Sequence, residues 1–260
     1  MLSHGRHEIE ALAAALVSSS DPPTSGWDVE TWKVGPALRA LAIACYKAVL
    51  LGDMDDAAIN ILSTWGVKVA DLLIAPYSKN DKLTRADVVE LLAAAMFLRD
   101  GFTLDDLFLP NVPKMSRKKS ESGLDVIGVL FGNDLEGLED LLHLASVKHS
   151  INKKSAADVR WKVVDSLSRK TLGQPYMTTQ LRVLNARLKE QGVDAGVARR
   201  VYYFLRDDSN VRVVGVAAVD TDLSSNLDSQ VDVIPKTEWP QAVFRKVSFD
   251  HLRDLADDCP

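Results

Sequence analysis

Cysteine is nearly absent: the chain has two, Cys45 in an apolar helical stretch and Cys259. Two cysteines so placed make neither a disulfide framework nor a zinc site. No run of about 18 uncharged apolar residues is present, so no membrane-spanning helix is expected. Met1 to Glu10 holds His, Arg and Glu in place of an apolar segment, which argues against a secretory leader and for a cytoplasmic protein. Excess positive charge is also missing. With 31 Lys and Arg against 36 Asp and Glu, the net charge is −5. A polycation that coats nucleic acid is excluded, and any nucleic-acid site must be a local patch. There is no Gly-rich phosphate loop, HExxH helix or nucleophile elbow, and no internal repeat. What remains is an ordinary globular composition, 47% apolar and 26% charged over 260 residues, enough for one large domain or two small ones.

The first hundred residues read as helical. His7 to Ser18 is rich in Ala and Leu, and Asp21-Pro22-Pro23 through Gly26 reads as a loop. Pro36 opens a helix, where its missing N–H does no harm, that runs to about Gly52. A third helix is expected from Met54 to about Ile74. A fourth is expected from Thr84 to Gly101, with Asp87 in a capping-box variant. The texture then changes. Pro110 to Gly123 carries the basic cluster Lys114, Arg117, Lys118 and Lys119 and reads as an exposed loop. Two strands follow, Leu124 to Val129 and Leu141 to Lys148, joined by a Gly- and acid-rich turn. Helices are expected over Ser155–Ser168, Thr178–Gln191 and Ala195–Arg206, strands over Val211–Val219 and Ala242–Val247, and a closing helix from Asp250 to Asp257. Strands alternating with helices imply a mixed α/β core over 84–260, preceded by a helical region over 1–83.

Each of the first two strands places a charge where a buried strand should not tolerate one, Asp125 in the first and Lys148 at the end of the second. Burying an isolated charge costs several kcal/mol, roughly, unless a partner or a metal compensates it. The two residues can compensate each other, or hold a metal ion and a phosphate. Metal-assisted phosphodiester hydrolysis needs hard oxygen ligands and a cation near the attacked phosphate, and this pair offers one of each. A second acid would project on the same strand face two residues before the Lys, but that position is Ser146. Glu90, on the helix from Thr84, is the better substitute; Glu139 and Asp140 are expected to face water. An amphipathic helix whose polar stripe contains Asp87 and Glu90 explains Glu90 equally well. Gln180, near the start of a later helix, could orient water or contact a phosphate. It could equally be an ordinary polar residue of a helix N-terminus. Lys153 and Lys154 extend the positive charge that makes residues 114–200 basic within an acidic protein, which suits a polyanionic backbone. A solvated face of mixed charge is the plainer account of each single Lys or Arg. His143 is expected to pack within its strand.

Gly123-Leu124-Asp125-Val126-Ile127-Gly128 and Leu144-Ala145-Ser146-Val147-Lys148-His149-Ser150 together resemble the core of the PD-(D/E)xK nucleases. In that superfamily an Asp on one strand and Glu-x-Lys on the next coordinate Mg²⁺ and water, and a Glu on a preceding helix often completes the site. The helix at Gln180 is similar to the Gln-bearing helix of exonuclease-type members. Within the superfamily the layout most resembles the nuclease-like subunit of the Hachiman anti-phage system, which pairs with a helicase. The resemblance covers roughly residues 84–250. It implies a restriction-endonuclease-like core flanked by helices and a cytoplasmic, Mg²⁺- or Mn²⁺-dependent nuclease acting on DNA beside a helicase partner. Asp125 and Glu90 would be metal ligands, Lys148 the charge-stabilising group, and Ser146 and Gln180 accessory. Ser146 departs from the acidic residue of the pattern. The rival is a catalytically inactive subunit that keeps the fold and binds nucleic acid or a partner protein. An enzyme requires Asp125, Lys148 and a further carboxylate to converge in an open cleft; the rival requires a closed Asp125–Lys148 pair.

Overall fold

The computed structural model describes residues 5–51, 64, 81–109, 124–133, 139–225 and 234–258. Nearly all of the helix expected from Met54, and the whole basic segment with Lys114, Arg117, Lys118 and Lys119, lie outside the described residues. The described chain is mixed α/β. Its strands are β1 (Ser18–Thr24), β2 (Trp27–Val34), β3 (Leu107–Phe108), β4 (Val126–Leu130), β5 (Leu141–Ser150), β6 (Val211–Asp220) and β7 (Gln241–Phe249). They form one sheet in the order β1-β2-β7-β6-β5-β4-β3. Strands β2, β7, β6 and β5 are parallel, and the outer pairs β1–β2, β5–β4 and β4–β3 are antiparallel. The helices are α1 (Arg6–Ala15), α2 (Pro36–Leu51), α3 (Asp81–Arg99), α4 (Lys153–Ser166), α5 (Gln174–Glu190) and α6 (Ala195–Arg199). The last continues as a 3-10 turn, Arg200–Leu205, and a second 3-10 segment, Leu252–Asp257, follows β7. Among the described residues no helix is long and apolar enough to cross a membrane.

Both sheet faces are covered, and alternation along each strand assigns residues to one side or the other. Val126, Ala145, Val147, Val214, Val216, Ala218, Val247 and Phe249 join the core with α1, α2 and α3. Ile127, Val129, Leu142, Leu144, Val213, Ala217, Val219 and Phe244 join the opposite core with α4, α5 and α6. Two glycines leave room for close packing. A Cβ on Gly128 would lie 2.7 Å from Phe102 Cε1, and one on Gly215 would lie 2.6 Å from Val163 Cγ1. Gly128, three residues after Asp125, is therefore packed directly against the Phe102 ring.

The helical reading of the N-terminal region is corrected at 18–34, which is a β-hairpin rather than a loop between helices. Its turn, Ser25 and Gly26, has positive φ at both residues (53° and 83°), as a tight two-residue hairpin loop requires. Strand β2 alternates regularly and buries apolar residues on both faces. Trp27 and Val29 enter one core, while Trp32 and Val34 enter the other. A strand covered on both faces need not alternate apolar with polar residues. Helix α3 begins at Asp81, three residues before the expected start, so Thr84 and Asp87 are buried inside it and form no capping box.

Candidate functional site

Antiparallel pairing of Val126 with Ala145 brings the residue before β4 against the second half of β5. The Asp125 N–H donates to the Ala145 carbonyl at 2.8 Å, which fixes the Asp125 backbone at the strand end. Its carboxylate is then shared unevenly. Oδ2 accepts from the Val147 N–H at 2.7 Å and from Lys148 Nζ at 3.2 Å. Oδ1 accepts no hydrogen bond from the described residues. Lys148 Nζ also donates to the Val147 carbonyl at 3.1 Å. The carboxylate is nearly buried, while the Lys148 side chain is 31% exposed, so the pair meets solvent through its ammonium side. Lys148 stands at the C-terminal end of parallel strands β5 and β6, where open α/β sheets place their ligands.

The other expected site residues fall around this pair unequally. Ser146, level with Gly215 of β6, is 0% exposed, and among the described residues its hydroxyl has no hydrogen-bond partner. A residue enclosed in this way cannot touch substrate in this conformation. Alternation puts Ser146 and Lys148 on the face of α4 to α6, whereas α3, which carries Glu90, covers the other face. Glu90 is buried, and neither Asp125 nor Lys148 bonds to it. Among the described residues no three of His, Cys, Asp and Glu gather closely enough to hold a metal ion. Gln180 is half-buried on α5. The start of that helix is tied to the site by the Leu124 N–H, which donates to the Tyr176 hydroxyl at 3.2 Å. Gln180 follows Tyr176 by one helical turn. Lys153 is exposed at the first position of α4, and the side chain of Lys154 lies outside the described ones. A cavity of about 390 Å³ lined by Asp105, Asp106, Phe131 and Gln191 lies past the other end of β4 and includes neither Asp125 nor Lys148.

Sequence reasoning missed two buried polar clusters. Asp140 does not face water: it is 1% exposed and bound by Arg200. On the α3 side, Arg245 of β7 joins Asp100 and Glu30, with Arg212 and His143 nearby. The His143 ring packs between Phe97 and Phe102, with centroids at 5.7 and 4.6 Å, and its Nδ1 lies 4.0 Å from Asp100. Burial, with the positive charges of Arg212 and Arg245, pushes the His143 imidazole down to about 3.

A histidine kept neutral in the fold but protonated when unfolded withdraws stability as pH falls. The loss begins near the unfolded value of about 6.5 and continues toward the folded value, at up to about 1.4 kcal/mol per pH unit. Burial raises the Asp100 carboxyl, which acts in the opposite sense in the acid range. Urea unfolding between pH 7 and 4.5 is expected to show a shallower acid loss in His143→Leu than in wild type, and equal slopes would refute the assignment. Comparison of the chain with protein-family models and with curated protein sequences finds no match.

Proposed function

We propose that this protein is a metal-dependent DNA nuclease, acting in the cytoplasm as the effector of a prokaryotic anti-phage defence system beside a helicase. The observation that carries the reading is the divided Asp125 carboxylate. One oxygen is held by the Val147 N–H and Lys148, and the other accepts no hydrogen bond from the described residues. Mg²⁺ keeps several waters and needs only one or two carboxylates besides substrate phosphates, so one prepared oxygen meets its minimum. Asp125 would hold the ion; Glu90, the second acid that the superfamily resemblance implies, lies on the helix that covers the opposite face of the sheet. The bound ion would supply an activated water and neutralise charge at the attacked phosphate. Lys148, fixed at two points and part-exposed, would stabilise charge developing on the phosphate oxygens. The chain order also supports the reading: helix α3, Asp125 before β4, Lys148 on β5, then the Gln180 helix.

A second reading has its own support. Ser146 is enclosed where the pattern has an acid, and the Asp125–Lys148 pair is largely closed. This favours an inactive nuclease-fold subunit that binds nucleic acid or a partner protein. Plasmid and linear DNA incubated with Mg²⁺ or Mn²⁺ separate the two. In an enzyme, Asp125→Ala and Lys148→Ala lower cutting by at least about 100-fold while the circular-dichroism spectrum is kept. A folded wild type that leaves both DNA forms intact with either ion removes the nuclease reading. Unfolding of Asp125→Ala would mark the pair as structural.

A further inference from the structure

We propose that the outer surface of α5 and the 3-10 turn Arg200–Leu205 binds a single strand of nucleic acid, with Arg182, Lys189, Arg199 and Arg206 on its phosphates and a base stacked on Tyr203. The surface is separate from the Asp125–Lys148 pair and would serve either reading of that pair. Residues 174–206 hold six basic and two acidic residues in a protein of net charge −5. One of the six, Arg200, is buried and committed to Asp140. Arg182, Lys189, Arg199 and Arg206 are exposed, and among the described residues none of their side chains forms an ion pair or hydrogen bond. The cations of the sheet differ: Lys148, Lys246 and Arg245 each meet a carboxylate. A charge without a counter-charge keeps its field in the surrounding solvent, where it attracts a polyanion. Most neighbouring acids are engaged elsewhere. Asp194 caps α6 by accepting from the Gly196 and Val197 N–H groups at 2.8 and 3.2 Å, Asp207 accepts from the Ser209 N–H, and Asp208 pairs with Arg169. Glu190, the last residue of α5, is the exception.

Helical spacing gathers the cations on the solvent side. The buried side of α5 is Met177, Leu181, Leu184, Asn185 and Leu188. Arg182, Ala186 and Lys189, at i, i+4 and i+7, form an exposed stripe about 10 Å long at about 1.5 Å per residue. At one charge per about 3.4 Å of strand axis, that length matches about three nucleotides. Tyr203 is 45% exposed, and Arg206 follows it by one 3-10 turn. Leu184 and Leu188 of α5 share a core with Val201 and Phe204, so the two elements form one layer. An exposed tyrosine beside cations offers a ring face on which an unpaired base can stack and a paired one cannot, which selects a single strand over a duplex. The surface begins beside the candidate site. The Tyr176 hydroxyl holds the Leu124 N–H, and Arg182 lies six residues, about 9 Å, further along the helix. Attraction to the helix dipole accounts for Lys189 and Arg199, each in the last turn of its helix, but not for Arg182 in mid-helix.

Binding of a labelled single-stranded oligothymidylate to the full chain tests the surface, read by fluorescence anisotropy over a salt series with a chelator present to prevent cutting. The double replacement Arg182→Gln with Lys189→Gln is expected to weaken binding about tenfold. It should lower the slope of log affinity against log salt by about 1.4, the value for two phosphates of a single strand. Tyr203→Ala should weaken binding at least about 5-fold at an unchanged slope, and Tyr203→Phe should restore it. The double replacement should melt like wild type, which separates lost binding from a lost fold. A wild type that does not bind, or an unchanged slope in the double replacement, overturns the proposal. Equal affinity for the duplex overturns the single strand as occupant, and equal competition by polyglutamate does so in favour of an acidic protein. Cutting with Mg²⁺ or Mn²⁺ is scored separately. A slope change without cutting ends the nuclease reading and leaves this surface standing, and cutting without a slope change does the reverse.

Discussion

Arg245→Ala is expected to lower the stability of the fold by about 3–5 kcal/mol, the cost of breaking a buried ion pair from one side. Arg245 is 0% exposed. Its Nε donates to Glu30 at 2.8 Å, and its Nη2 donates to both oxygens of Asp100 at 2.7 and 2.8 Å. The guanidinium also lies over the rings of Trp32 and Phe97, 5.6 and 5.9 Å from their centroids. Alanine deletes the cation and leaves two carboxylates with side chains only 15% and 25% exposed. Burial already raises the Asp100 carboxyl against the pull of Arg245, so without the arginine it should rise further. A carboxyl with a raised folded value destabilises the fold when ionised, and the penalty is relieved as pH falls through its range. The deficit of Arg245→Ala, measured by urea unfolding, should therefore be smaller at pH 5 than at pH 7. Replacing Arg245 by Met together with Asp100 by Leu should cost less than the single change, because the principal carboxylate partner leaves with the cation. A single-variant loss below about 1 kcal/mol would place the network with ordinary surface pairs.

Asp140→Ala should produce a loss of similar size, about 3–5 kcal/mol, from the opposite sign of charge. Arg200 is 8% exposed, and its Nε donates to Asp140 Oδ2 at 2.9 Å. Arg200 Nη2 donates to Asp140 Oδ1 and, at 3.0 Å, to the Gly132 carbonyl. The Gly132 N–H completes the knot by donating to Asp140 Oδ1 at 3.0 Å. Asp140 thus joins the exit of β4, the start of β5 and the 3-10 turn after α6. Without its carboxylate, Arg200 loses two charge-assisted hydrogen bonds, while the Gly132 carbonyl and the face of Phe131 at 5.5 Å stay in place. Asp140→Asn should fall between alanine and wild type, since it retains an oxygen acceptor in the same place. The eight residue steps from Asp140 to Lys148 span about 26 Å, so DNA cutting per folded molecule should be unchanged in either variant. A variant that melts like wild type would show that the guanidinium finds another anion.

How much of this was legible in the chain depended on whether its cause was local. Strands β4, β5 and β6 stand out as branched apolar runs, and the charges of Asp125 and Lys148 stand out against them. Helices α4 and α5 were placed within a few residues by their periodicity. Strands β1 and β2 were hidden by Ser, Asp and two prolines in the first and by apolar residues on both faces of the second. The Ser25-Gly26 dipeptide was the available signal for their hairpin. The Arg245 cluster has no local signal, because Glu30 and Asp100 lie 215 and 145 residues from the arginine. Its members meet only through strand order. The pairing of Asp125 with Lys148 depends on strand register, and the residue level with Ser146 on β6, Gly215, lies far along the chain.

The hairpin also sets a timetable for the nascent chain. Apart from β1, the hydrogen-bonding neighbour of β2 is β7, and Glu30 faces Arg245 across that boundary. Synthesis at about 5–20 residues per second separates the two strands by about 10–40 s. Through that interval Trp27 and Trp32 lack their final cover and one edge of β2 is open. Edges of that kind are where unwanted pairing between chains begins. Two features shorten the exposure. The tight turn lets β1 close one side of β2 at once, and Pro22 and Pro23 break the outer edge of β1 as a template. Contacts of such long range also slow folding, since the loop between them must close before any pairing repays it. Refolding from denaturant should accordingly be faster in a circular permutant that joins β7 directly to β1 than in the natural order.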